Sequence, residues 1–169
     1  GAPLEDDAEL DVPMDVQLVM LPLETRSFTS KDAALVEAAA EGKLELVAQL
    51  LAAGADKDGQ VRGGWAPLHA ACRFGQTEVV TLLLDAGVQK DVPGPFGDTP
   101  LCCAVNGEHA DIVELLLRAR ADPDRKSPIL KADGLVNTRI LNLLLEYGAD
   151  KECLERRRRQ EEILQGLDE

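Results

Sequence analysis

Histidine and cysteine are the residues of this sequence that could support the widest range of chemistry, and both are scarce. The chain has two histidines and four cysteines: His69, His109, Cys72, Cys102, Cys103 and Cys153. The cysteine spacing matches neither a zinc site nor a C-x-x-C redox motif. We expect all four cysteines to be reduced core thiols, which indicates the cytoplasm or the nucleus.

Other catalytic arrangements are also missing from the pattern. No Ser/His/Asp order, glycine-rich phosphate loop or metal-ligand spacing stands out. Adjacent acidic residues such as Asp6 and Asp7 lie in a highly charged segment, where a fixed catalytic geometry is not expected. We therefore expect a protein that is not an enzyme, with no catalytic residue, no metal and no cofactor.

An internal repeat organises the chain. Ala38, Ala71 and Ala104 follow one another at intervals of 33 residues, and the same interval separates Leu50, Leu83 and Leu116. A fourth, degenerate copy follows after a step of 28 residues, from Pro100 to Pro128 and from Leu116 to Leu144. A period of about 33 residues is typical of a solenoid of small helical units.

The strings GWAPLHAACRFGQTEVVTLLLDAG (64–87) and GDTPLCCAVNGEHADIVELLLRARAD (97–122) resemble the ankyrin-repeat family. The resemblance implies an all-α solenoid of stacked helix pairs joined by short β-hairpin fingers, with a concave face. It also implies a structural role for the His69 imidazole, which would tie the helix start to the neighbouring finger backbone. The fourth copy lacks five residues of its finger, so we expect no full hairpin around residues 122–127.

Helix boundaries are visible in the repeat. Thr99-Pro100 and Ser127-Pro128 each place a hydroxyl before a proline, which predicts a helix N-cap. Gly54, Gly87 and Gly148 end the second helices as left-handed residues. The third copy has Arg120 at this position, so we expect slight backbone strain there.

The domain organisation follows from the extent of the repeat. We expect an acidic, extended N-terminal segment at 1–29, a repeat domain at 30–152 and a C-terminal capping helix at 153–169. The approximate repeats are 30–60, 61–93, 94–124 and 125–152. The N-terminal segment has three interpretations: it covers the flank of the first repeat, it occupies a binding groove, or it is disordered because of its charge.

The net charge of −13 bears on the partner. It argues against nucleic acid, because phosphate binding needs a basic surface. It permits a basic protein or peptide partner, although it could also serve only to keep the protein in solution. No apolar run approaches the length of a membrane span, so we expect no membrane association. We also expect a monomer in isolation.

Binding residues are carried over from the resemblance. Ankyrin repeats bind through finger tips and the exposed side of the first helices, where aromatic and arginine side chains dominate binding energy. The corresponding candidates in this sequence are Arg62, Trp65, Arg73, Phe74, Phe96, Asp98 and Asn106. The alternative for Trp65, Phe74 and Phe96 is that they only pack against neighbouring structure. The expected function is a protein-interaction module, an adaptor or scaffold, and the alternative is a stoichiometric inhibitor or assembly chaperone.

The charge generates the first testable prediction. If the physiological partner is basic, electrostatic attraction accelerates its encounter with this acidic chain. Raising the salt concentration from about 50 mM to about 500 mM shortens the screening length several-fold. We expect the association rate constant, measured by stopped-flow fluorescence, to fall across this range. A rate constant that does not change with salt would exclude electrostatic steering by a basic partner.

Overall fold

The structure of the chain is a computed structural model that describes residues 31–61, 64–133 and 138–165. The predicted N-terminal segment therefore lies outside the described residues. Within them the chain forms nine helices. These are α1 Lys31–Glu41, α2 Leu44–Ala52, α3 Pro67–Arg73, α4 Thr77–Asp85, α5 Pro100–Asn106, α6 Ala110–Arg118, α7 Pro128–Ala132, α8 Thr138–Glu146 and α9 Lys151–Gln165.

The first eight helices form four antiparallel pairs that stack in chain order. The first helices α1, α3, α5 and α7 pack against one another in sequence, and so do the second helices α2, α4, α6 and α8. This arrangement confirms the predicted all-α repeat solenoid. No helix among the described residues is long and apolar enough to cross a membrane.

The fingers differ in detail from the short β-hairpins that we expected. The residues in 31–61, 64–133 and 138–165 contain no β-strand. Two fingers instead have a backbone hydrogen bond across them, from Val61 N to Trp65 O (3.2 Å) in one and from Gly94 N to Asp98 O (2.7 Å) in the other. Residues 122–127 form a shorter turn, with a bond from Ser127 N to Asp124 O (2.9 Å), as the missing five residues predicted.

The core consists of aliphatic side chains in equivalent positions of successive repeats. Leu35, Leu68, Leu101 and Ile129 occupy the same place in the four first helices, and all are buried. Leu83, Leu116 and Leu144 do the same in the second helices of the last three repeats. Because each repeat buries its apolar face only against its neighbours, the core is continuous along the stack.

The N-caps of the first helices show one wrong prediction. Thr99 caps α5 as expected, because its Oγ1 accepts the backbone N–H of Cys102 at 3.3 Å. Ser127 makes no side-chain cap bond to α7 and adopts a left-handed conformation with φ 48°. The five residues missing from the preceding finger are the physical difference between these sites, since the shortened connection reaches Pro128 through two left-handed residues, Lys126 and Ser127.

Aspartate side chains join successive repeats. Asp58 accepts the backbone N–H of Gln89 at 2.7 Å, Asp91 accepts that of Asp122 at 3.0 Å, and Asp124 accepts that of Asp150 at 2.6 Å. A carboxylate that accepts a backbone N–H makes a charge-assisted bond, which is stronger than a neutral one. The described junctions after the first repeat therefore share one polar contact, repeated once per repeat.

Lysine side chains add a second periodic contact at two junctions. Lys57 Nζ donates to the carbonyl of Ala86 at 2.8 Å, and Lys90 Nζ donates to that of Ala119 at 2.6 Å. Both carbonyls lie at the C-terminal end of a second helix, where a positive charge is favourable. The next position in the series is Pro123, which has no side-chain donor, so this contact is missing between the third and fourth repeats.

The C-terminal helix α9 packs against α7. Leu154 is buried, Arg157 Nη1 donates to the carbonyl of Leu130 at 2.8 Å, and Arg158 pairs with Asp133 at 2.5 Å. The helix begins at Lys151, two residues before the start that we expected. These contacts support the proposal that it caps the stack.

The cysteines are free thiols, and three of them are buried. Burial raises the pKa of Cys72 well above its ordinary value and raises the pKa of Cys103 to about 12, because a thiolate is poorly solvated in the core. Cys153 is half-buried. Since the thiolate is the reactive form, the raised pKa values keep Cys72 and Cys103 in the protonated, unreactive form at neutral pH.

Two residues of the third repeat replace glycines and keep the left-handed backbone. Arg120 has φ 65° where Gly54 and Gly87 stand in the preceding repeats, and Glu108 has φ 59° where Gly42 and Gly75 stand. A left-handed conformation costs a residue with a Cβ about 1–2 kcal/mol. The left-handed backbone on which the predicted strain at Arg120 depends is therefore present.

This strain can be measured. We expect Arg120→Gly to raise the free energy of unfolding by about 0.5–1 kcal/mol, because the gain in backbone conformation exceeds the entropy that glycine adds to the unfolded chain. The reverse change, Gly54→Ala, should lower it by about 1 kcal/mol, since a Cβ there meets no atom within 4 Å and suffers only from φ 79°. Urea unfolding measures both values, and a destabilised Arg120→Gly variant would contradict the assignment of strain.

Candidate functional site

Two aromatic rings form the centre of the predicted binding surface. The Trp65 and Phe74 ring centroids lie 6.4 Å apart, with the ring planes tilted by 54°. Such tilted pairs attract each other beyond their buried area. Trp65 is half-buried, whereas 57% of Phe74 is exposed at the end of α3. The structure thus brings together two candidates that the sequence placed nine residues apart.

Glycine geometry lets the finger that carries Trp65 and the next finger come close to one another. Gly64 has φ 77°, and a Cβ there would lie 3.0 Å from the backbone nitrogen of Pro95 in the next finger. Gly97 has φ 73°, and a Cβ there would lie 2.7 Å from Cε of Lys126. The two glycines therefore let successive fingers and the 122–127 turn come close together as one row of contacts.

Phe96 lies in the middle of this row. It stands in the turn between Gly94 and Gly97, and 80% of its side chain is exposed. Asp98, in contrast, is engaged within the protein: its carboxylate pairs with Lys131 Nζ at 2.9 Å. Phe96 therefore presents an apolar group to solvent, while the Asp98 side chain links the third repeat to the fourth.

Arg73 and Asn106 connect the ends of two first helices. Arg73 Nη1 donates to the carbonyl oxygen of Asn106 at 3.5 Å, which is at the long limit for a hydrogen bond. Both side chains are exposed. The remaining candidate, Arg62, lies outside the described residues.

Three cations near the row were missed by the sequence reasoning. Arg125 and Lys126 are exposed in the 122–127 turn, and Lys131 follows on α7. They belong to the degenerate fourth copy, where the repeat pattern offers no equivalent position to compare. The signal that could have identified them is charge: residues 118–169 contain 11 basic and 11 acidic residues, whereas residues 1–117 carry the whole net charge of −13.

His69 fixes the finger that precedes Thr99. Its Nδ1 accepts the backbone N–H of Ala66 at 3.2 Å, and its Nε2 donates to the carbonyl of Asp98 at 3.2 Å. The side chain is fully buried. Burial lowers the pKa of His69, although the carbonyls of Asp98 and Val92 oppose the shift, so the neutral imidazole is the form that holds the two repeats together.

A polar cleft lies at the start of the second helices α4, α6 and α8. Its volume is about 410 Å³, and its lining includes Thr77, His109, Asp111 and Arg139. These groups are already engaged: Arg139 pairs with Asp111 at 3.0 Å, and His109 Nε2 lies 3.3 Å from the carbonyl of Arg73. Among the described residues, no group of three His, Cys, Asp or Glu side chains is arranged to hold a metal ion.

Comparison with known proteins agrees with this architecture. The family model described as ankyrin repeats (3 copies) matches residues 35–127, which is more than half of the 169 residues. The match begins inside α1 and ends at the turn before α7. No curated protein matches the chain.

The buried histidine predicts a pH dependence of stability. Because the pKa of His69 is lowered in the folded protein, the unfolded chain takes up a proton first as the pH falls below about 6.5. The stabilisation that depends on neutral His69 is therefore present above this pH and is lost progressively as the pH falls below it, towards the lowered pKa of the folded state.

The variant His69→Gln tests this. At pH 8 its free energy of unfolding should be about 1–3 kcal/mol lower than that of the wild type, because two buried backbone groups lose their hydrogen-bond partner. That difference should shrink as the pH is lowered from 8 to about 5.5. A matched core variant with no titratable change, Val80→Ala, should keep a constant difference in the same urea titrations. A constant difference for His69→Gln as well would contradict the assignment.

Proposed function

The chain belongs to the ankyrin-repeat family, and on this premise we propose that it is an adaptor or scaffold that holds a partner protein or peptide through its finger tips and first helices, without catalysing a reaction. Ankyrin repeats are general protein-protein interaction modules. The observation that carries the proposal is a set of three aromatic side chains: half-buried Trp65 paired with exposed Phe74, and exposed Phe96 on the next finger.

Burial and composition support this surface. The Phe96 side chain is 80% exposed, so it contributes little buried apolar area to the fold. A partner that covers it would remove this apolar area from water, which favours binding. Aromatic and arginine side chains dominate binding energy at protein interfaces, and Arg73 adjoins Phe74. The polar cleft at the start of the second helices, where Arg139 pairs with Asp111, has no Trp or Phe side chain in its lining.

The partner's charge is a separate part of the proposal. The net charge of −13 lies in residues 1–117, so a basic partner, or a basic segment of one, would be attracted to this part of the chain. We place the protein in the cytoplasm or nucleus, because four reduced thiols suit a reducing compartment. We also propose that it is a monomer when no partner is bound.

Truncation of the aromatic pair tests the proposed surface. We expect Trp65→Ala and Phe74→Ala each to weaken partner binding at least about tenfold, or about 1.4 kcal/mol. Phe74→Ala should hardly lower the melting temperature, because Phe74 is mostly exposed. Partners captured from a cell lysate by the wild-type chain supply the ligand, and isothermal titration calorimetry measures the affinity.

A matched control is available on the last repeat. Tyr147→Ala removes another partly exposed aromatic side chain, which lies at the end of the second helix α8 and away from the fingers, and should leave binding unchanged. Variants of Trp65 and Phe74 that bind normally but melt several degrees lower would show that the pair only packs the finger against α3. An assay of the captured partner's own activity, with the chain added in equal amount, separates a holding role from inhibition.

A further inference from the structure

The aromatic pair and the 122–127 turn belong to one continuous surface. Gly64, next to Trp65, lies against Pro95, and Gly97, next to Phe96, lies against Lys126. On the helix side, Arg73 reaches Asn106 and Asp98 pairs with Lys131. Close contacts therefore run without a break from the second repeat, through the third, to the fourth.

The two ends of this surface differ in chemistry. The second repeat contributes Trp65 and Phe74, which are apolar. The fourth repeat contributes Arg125 and Lys126, which we call the cationic turn. Both side chains are exposed, and within the described part of the chain neither takes part in an ion pair. Lys131, behind them on α7, is already paired with Asp98.

Local sequence favours an acidic ligand at the cationic turn. The turn also contains Asp122 and Asp124, whose carboxylates accept the backbone N–H groups of Asp124 at 2.9 Å and of Asp150 at 2.6 Å and are held at the repeat junction by these bonds. The Arg125 and Lys126 side chains are exposed and form no ion pair among the described residues, so they are the charged groups of the turn that can contact an outside group. Two adjacent cations without an ion pair, on the same surface as the aromatic pair and the exposed Phe96, complement a carboxylate-bearing segment with an apolar anchor.

We propose that this surface binds an extended segment of a partner protein that carries one large apolar side chain for the aromatic pair and two or more Asp or Glu residues for the cationic turn. The inference rests on the proposed function and adds the chemistry of the segment that is recognised. It is compatible with a basic partner, because the acidic segment contacts this surface and the basic part contacts the acidic repeats elsewhere.

The spacing of the two anchors follows from the architecture. Packed helices lie about 8–10 Å apart, so the two repeat steps from Trp65 to the cationic turn span roughly 20 Å. An extended chain advances about 3.3 Å per residue. The apolar anchor and the acidic residues should therefore be about six positions apart in the partner's sequence.

Selection from a random display library of 16-residue peptides tests the inference without assuming a partner. With the full-length chain as the target, we expect enriched peptides to combine Trp, Phe or Leu with two or more acidic residues about six positions away. Their affinity, measured by fluorescence anisotropy, should fall as salt rises. Enriched peptides that lack acidic residues, or the absence of any enrichment, would overturn the inference.

Charge reversal identifies the cationic turn as the receptor. The double change Arg125→Glu and Lys126→Glu should weaken the selected peptides at least about tenfold. A control with the same change in charge, Arg120→Glu with Arg159→Glu, alters two exposed arginines outside this surface and should leave the affinity within about twofold. Circular dichroism confirms that each variant is folded. Equal affinity of the cationic-turn variant and the wild type would overturn the inference.

The two proposals fail in different ways. Suppose that Trp65→Ala abolishes binding of the lysate partner while the cationic-turn variant binds it normally. The proposed interaction surface is then supported, and the proposal of an acidic segment is contradicted. If neither Trp65→Ala nor Phe74→Ala affects the lysate partner, the interaction surface itself is wrong. Loss of the selected peptides in both the Trp65→Ala and the cationic-turn variants supports both proposals.

Discussion

The structure depends on polar groups at each repeat junction that find their partner on the neighbouring repeat. A single helix pair cannot satisfy these groups, just as it cannot bury its own apolar face. The carboxylates of Asp58, Asp91 and Asp124 each bind a backbone N–H of the following repeat, and His69 binds the carbonyl of Asp98 in the same way. These bonds fix the rotation of one repeat against the next, and with it the alignment of the fingers.

The fold could be read from the sequence because the repeat itself contains most of the information. Intervals of 33, 33 and 28 residues placed the buried leucines, the prolines that begin first helices and the missing part of the last finger. Ser127 could not be predicted, because whether its hydroxyl caps α7 depends on a backbone conformation set by the shortened connection. The strand content of the fingers also depends on pairing geometry that the repeat pattern does not specify.

The candidate surface was predictable in part for the same reason. Trp65 and Phe74 could be selected because the repeat marks their positions as variable, but their contact depends on the path of the finger. Asp98 was selected by position, and the structure places its carboxylate on Lys131. The cationic turn was not predicted, because it lies in the shortened connection before the fourth repeat, where the 33-residue pattern no longer holds. Departures from a repeat are visible in a sequence, but their geometry follows only from the surrounding chain.

The proline at position 123 has a consequence for cooperativity. In a linear array, each repeat is stabilised by its own folding and by its coupling to its neighbours. The junction after the third repeat lacks both the lysine contact and a full finger. The Lys131–Asp98 and Arg139–Asp111 ion pairs do join these repeats, but their charges are partly exposed, and such pairs contribute little to stability. We therefore expect weaker coupling there than at the two preceding junctions. The last repeat can then open while the first three remain folded, as a separate unit of hydrogen exchange. A ligand that spans the second to fourth repeats would bind only the form in which the last repeat is folded. Part of its binding free energy would therefore be used to fold that repeat, and the ligand would stabilise the last repeat against opening.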